Sequence, residues 1–172
     1  MSRLNAKPDL PASEMHATLR RLVESTKDVA TFAGLSHHHT RFLHAALLAS
    51  IIMSDQRVHP EELALYARMV TQKLQLPEGA LEAMADFIAQ GLSDEEIEGT
   101  SLVLRHELPM EKRVELVGML WELAMCDADL HPREEERVQR IADFVGVTGL
   151  RTLAEKMNVA ARKAQRDDDK MV

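Results

Sequence analysis

Two acids and an imidazole occur together twice in this chain, at one spacing. Residues 53–62 read Met-Ser-Asp-Gln-Arg-Val-His-Pro-Glu-Glu, and residues 125–134 read Met-Cys-Asp-Ala-Asp-Leu-His-Pro-Arg-Glu. Met53 is matched by Met125, so the offset is 125 − 53 = 72 residues. Asp55, His59 and Glu62 therefore recur as Asp127, His131 and Glu134. A turn that folds each Asp back toward its Glu brings two carboxylates to one cation. Hard divalent ions such as calcium and magnesium prefer such oxygens. His59 and His131 add nitrogen donors, which shifts the preference toward zinc. The phrase is not an EF-hand, because it lacks the central Gly and the long array of oxygens. It has neither paired Cys nor a His-Glu-x-x-His stretch, so it is not a standard zinc pattern.

The same residues have a mechanical use. With Pro60 and Pro132 as first helical residues, His59 and His131 become N-caps. Glu62 and Glu134 then stand at the third helical position. A glutamate there accepts the N-cap N–H and faces the positive end of the helix dipole. Asp55 and Asp127 can accept backbone amides of their own turns. A ligand site and a purely structural turn are both open readings of these residues.

The elements that hold the two phrases read as helices throughout. Ala, Leu, Met and Glu abound, aromatic residues make up 3% of the chain, and no stretch alternates in the way a strand does. A first helix is expected from about Ser13 to Ala33, stopped by Gly34, and a second from about Thr40 to Ser54. The second carries no acid and is apolar all round, as a buried helix is. The third starts at Pro60 and presents Leu63, Tyr66, Ala67, Val70 and Leu74. Pro77 opens a fourth, ended by Gly91. Ser93-Asp-Glu-Glu96 is a capping box that opens a fifth. The sixth, from about residue 110 to 126, is the buried counterpart of the second. Pro132 opens a seventh, ended by Gly146, and Thr148 caps an eighth that runs into a solvated tail. The expected domain plan is an arm over residues 1–11, one all-α domain over 12–165 and a tail over 166–172. About eight helices and no sheet are expected, with the two phrase-bearing hairpins packed about a pseudo-two-fold axis.

Bulk properties bound the function. The 172 residues are 45% hydrophobic and 28% charged, with a formal net charge of −7. That acidic balance argues against nucleic acid as a partner, since phosphate binding needs a basic surface. The single Cys126 excludes an internal disulfide and suits a reducing compartment. No secretory leader is expected at the N-terminus. The longest apolar run, Phe42 to Met53, falls short of the about 20 residues that span a bilayer, so no membrane insertion is expected. A cytoplasmic location follows as an expectation.

Other reactive residues read as structure. His37, His38 and His39 are expected in a surface turn between the first two helices. His44 is expected as a hydrogen-bonded core histidine. Cys126, beside Asp127 at a helix C-terminus, should have a raised thiol pKa and no nucleophilic role. Trp121 and the methionines read as core filling. No phosphate-binding glycine loop, catalytic triad or basic stripe is found.

A buried helix ending in Ser-Asp or Cys-Asp, then x-x-aliphatic-x-Pro-x-Glu opening an amphipathic helix, resembles the TerB-like family. The resemblance rests on residues 40–147, and two such motifs per domain is the family's arrangement. The family usually has Gly after the Asp; Gln56 and Ala128 stand there instead. The resemblance implies an all-helical fold and places acidic residues tied to divalent-cation binding at Asp55, Glu62, Asp127 and Glu134. His59 and His131 are this chain's own addition. It implies no catalysis. The expected function is a non-catalytic cytoplasmic module linked to stress response of the tellurite-resistance kind, or to scaffolding. It would work with protein partners and hold a divalent cation: calcium, magnesium or zinc. The alternatives are an interaction adaptor whose turns are only structural and, less favoured, a metal-dependent hydrolase.

Overall fold

Proline, glycine and capping residues cut the chain into eight α-helices among the described residues, which are 11–28, 35–54, 57–77, 79–127 and 130–171 of a computed structural model. The helices are α1 (Ala12–Ser25), α2 (His37–Ile52), α3 (Pro60–Arg68), α4 (Ala80–Gln90), α5 (Asp94–Glu107), α6 (Met110–Ala124), α7 (Pro132–Phe144) and α8 (Leu150–Lys170). No strand occurs among the described residues. No helix among them is long and apolar enough to cross a membrane.

The two apolar helices form the centre. In α2, Leu43, Leu47, Leu48, Ile51 and Ile52 are completely buried, and in α6 Leu116, Val117, Leu120, Trp121 and Leu123 are too. The area they remove from water is the main stabilising term. α2 packs on α6, α3 also touches α6, and α7 also touches α2. Each hairpin's second helix therefore reaches the other's first, a reciprocity that the expected two-fold relation would require. α1 and α4 cover one side, and α8 lies along α6.

Several local expectations are corrected. α1 ends at Ser25, not Ala33. There the Ser25 and Thr26 hydroxyls donate to the carbonyls of Leu22 and Val23. Residues 29–34, with the expected Gly34 stop, lie outside the described residues, as do 1–10 of the expected arm. His37–His39 are not in a turn. They form the first turn of α2 behind the N-cap Ser36. α4 begins at Ala80 rather than Pro77, and α8 is preceded by Gly149 rather than capped by Thr148. α8 stays helical through Lys170.

In α3 the buried residues are Glu62 and Tyr66, followed beyond its end by Met69 and Val70, while Leu63 is 40% exposed. Glu62 is turned inward at the third position, and a helical step of about 100° then carries Leu63 to solvent. Tyr66 Oη donates to the Ala45 carbonyl at 2.9 Å, pinning α3 to α2. Met69–Lys73 continue the helix in π form, which lets Val70 and Leu74 stay inside.

His44 lies in α2 with its Nε2 enclosed and without a hydrogen-bond partner in the structure, so the expected core hydrogen bond is not made there. Burial, helped by the charge of Lys112, lowers its pKa to about 4. The unfolded chain takes up this proton near pH 6.5 and the folded chain only near 4, so His44 destabilises the fold as pH falls through that window. Part of the residue reaches solvent, so the cost is about 1–2 kcal/mol rather than the full shift. His44→Leu should remove that part of the acid sensitivity, read as the difference in urea midpoint between about pH 7 and about pH 4.5. An unchanged difference would refute the assignment.

Candidate functional site

The two repeated phrases sit where α2 leads into α3 and α6 leads into α7, and the fold brings these two turns together. Both glutamates take the expected third helical position. Glu62 Oε2 accepts the His59 N–H at 3.4 Å, and Glu134 Oε2 accepts the His131 N–H at 3.2 Å. His131 Nδ1 accepts the Arg133 N–H at 3.2 Å. Each glutamate is only 1% exposed. A carboxylate so enclosed is held by charge-assisted bonds and by the positive end of its helix.

The turns also meet across the repeat. His59 Nε2 stands 3.7 Å from Asp127 Oδ2, joining the histidine of the first copy to the aspartate of the second. Cys126 lies in the same place. Its thiol is pushed up to about 12, first by burial and then by Glu62, Asp127, Glu134 and Glu61. Glutamates from both copies therefore act on one sulfur, and the expected raised pKa is found. Relative to an ordinary thiol, the shift removes about a thousandfold of thiolate, while the greater nucleophilicity of a more basic thiolate returns about thirtyfold. Alkylation of native Cys126 by iodoacetamide near pH 8 should thus run about thirtyfold slower than in the urea-unfolded chain. Equal rates would contradict this environment.

Asp55 and Gln56 lie outside the described residues, as do Ala128 and Asp129. Among the described residues no three His, Cys, Asp or Glu side chains are gathered closely enough to hold a metal ion. The donors that are described come as pairs: His59 with Asp127, and a capping oxygen on each glutamate. All but the imidazoles are oxygens, which suits a hard cation better than zinc.

Two cations that sequence reasoning missed close the buried helices. Arg137 of α7 donates to the Ser50 carbonyl at 3.0 Å, near the end of α2. Lys163 of α8 donates to the Met125 carbonyl at 2.6 Å and also to the Asp127 carbonyl. Each places positive charge at a helix C-terminus, where the dipole favours it. No local signal marks either residue, since each acts on a carbonyl far away in the chain.

Residues 41–155 match the family described as Tellurite resistance protein TerB. The chain belongs to the TerB family. That stretch contains both repeated phrases, most of α2 and all of α3 to α7, so the family assignment covers the whole candidate site. Neither the comparison with curated proteins nor that with solved structures gives a match.

Proposed function

We propose that this TerB-family protein is a non-catalytic module whose two acidic turns act as one electronegative site for a divalent cation. The observation that carries the reading is the meeting of the two copies: His59 against Asp127, with Glu62 and Glu134 both acting on Cys126. Asp55, Glu62, Asp127 and Glu134 are the oxygen donors of this proposal, with His59 and His131 contributing for zinc-like ions. The module would work in the cytoplasm through protein partners, in a stress response of the tellurite-resistance kind or as a scaffold.

Calorimetry on tag-free protein with calcium, magnesium, manganese and zinc tests it. Weak binding, with a dissociation constant on the order of 0.1–1 mM, is expected. The double change Glu62→Gln, Glu134→Gln should abolish it. Glutamine keeps an acceptor for the N-cap N–H, so the caps survive while the charge is lost. Undetectable binding, or binding unaffected by the double change, would contradict the proposal.

One set of contacts favours a second reading. Glu62 and Glu134 both cap their helices through the His59 and His131 N–H groups. On that reading the turns are only structural, and the protein is an adaptor that needs no ion.

A further inference from the structure

A cleft of about 410 Å³ opens between α3, the end of α6 and α8. That is the size range of small-molecule sites. Five cationic side chains and three carboxylates line it, although the chain as a whole carries a net −7. Along α8 Arg162, Arg166 and Lys170 recur four residues apart and so share one face, Lys163 stands beside them, and Arg68 of α3 also lines the cleft.

These cations are not equivalent. Lys163 is engaged by the carbonyls of Met125 and Asp127. Arg162 faces Glu122 at 3.6 Å, and Glu122 is shared with Lys73 at 3.4 Å. Among the described residues, Arg68, Arg166 and Lys170 have no hydrogen-bond or ion-pair partner. Glu61 and Asp167 also line the cleft, so these three cations outnumber two carboxylates beside the apolar Ala64, Leu65, Met125 and Val159.

We propose that this cleft binds a small organic anion, a carboxylate or phosphate carried on an apolar body of acyl-chain size. The apolar part lies on Leu65, Met125 and Val159. The charged end meets Arg68 and Arg166, with Lys170 beside them. The cleft borders the second of the paired turns, sharing Met125 and Cys126 with it, but the proposed contacts use none of the carboxylates assigned to the cation and do not depend on cation binding. Attraction by partly exposed guanidinium groups is screened by salt, so affinity falls with ionic strength.

Amide NMR on the full chain with decanoate, below its micellar range, tests this. Shifts should centre on Ala64, Leu65, Met125 and Val159. Acetate and inorganic phosphate should produce none at equal concentration, because the apolar lining contributes most of the binding. The double reversal Arg68→Glu, Arg166→Glu should weaken decanoate about tenfold or more, as expected for two exposed charges turned from attraction to repulsion. The milder Arg166→Gln should give a smaller loss in the same direction. Reversal of Arg151, which is exposed on α8 but does not line the cleft, should change nothing. Shifts centred instead on the exposed Leu153 and Met157, equal binding of acetate or phosphate, or indifference to Arg68 and Arg166 would each overturn the proposal.

Discussion

Trp121→Ala is expected to lower the unfolding free energy by about 3–5 kcal/mol, the range for deleting a large aromatic side chain from a packed core. Trp121 is completely buried and is the bulkiest of the fully enclosed side chains. It sits in α6, the helix that contacts α2, α3, α7 and α8. Its indole N–H has no hydrogen-bond partner in the structure, so the loss is one of volume and contact rather than of a polar bond. Lys156 Nζ lies 5.2 Å from the ring centroid and pairs with Glu135. Truncation thus also removes a cation–π contact between α8 and α6. For a domain of this size the thermal midpoint should fall by roughly 6–20 °C. Trp121→Phe should cost much less, because it keeps most of the volume and removes an unsatisfied donor. A loss under about 1 kcal/mol for the alanine change, read by urea unfolding, would contradict the packing described.

Gly99→Ala should destabilise by about 1–3 kcal/mol. Inside an ordinary helix that change is favourable by about 1 kcal/mol, so the expected sign is reversed. A Cβ on Gly99 of α5 would stand 2.7 Å from Thr26 Oγ1 and 2.9 Å from the Thr26 carbonyl oxygen. The carbonyl belongs to the backbone just after α1 and cannot swing away as a side-chain end can. Gly118 of α6 is the internal control. Its Cβ would meet only the end of Glu155, at 3.0 Å, and that flexible carboxylate can move. Gly118→Ala should therefore be neutral or slightly stabilising. Equal effects at the two glycines, in matched thermal melts, would refute the close approach of α1 to α5.

The all-helical fold was legible because its strongest signals are local. Ser93 and Glu96 form the reciprocal capping box that their spacing announces, with Ser93 N–H to Glu96 Oε2 at 2.8 Å and Glu96 N–H to Ser93 Oγ at 3.1 Å. Pro60 and Pro132 begin their helices as expected. The all-round apolar pattern of α2 and α6 reported their burial, and Leu47, Ile51, Leu120 and Leu123 are all fully enclosed. What was not legible depends on distant partners. The end of α1 comes at Ser25, where the buried Thr26 lies close against Gly99 of α5, a contact with no local signal in the sequence. The face of α3 was misread because a buried glutamate, Glu62, takes a position that apolarity alone assigns to its neighbour Leu63. At the candidate site, the spacing predicted the capping role of Glu62 and Glu134 within each copy. It could not predict that His59 faces Asp127 of the other copy, because that contact depends on how α2 packs on α6.

Manganese titration followed by amide NMR tests most directly the claim that the two turns form one cation site. Paramagnetic broadening should appear together, at one midpoint, on Arg57–His59, Met125–Asp127 and Leu130–His131. Calcium in excess should reverse it, and Glu62→Gln with Glu134→Gln should prevent it. Broadening confined to His37–His39 at the start of α2, or none at millimolar manganese, would contradict the claim and leave the turns as helix caps alone.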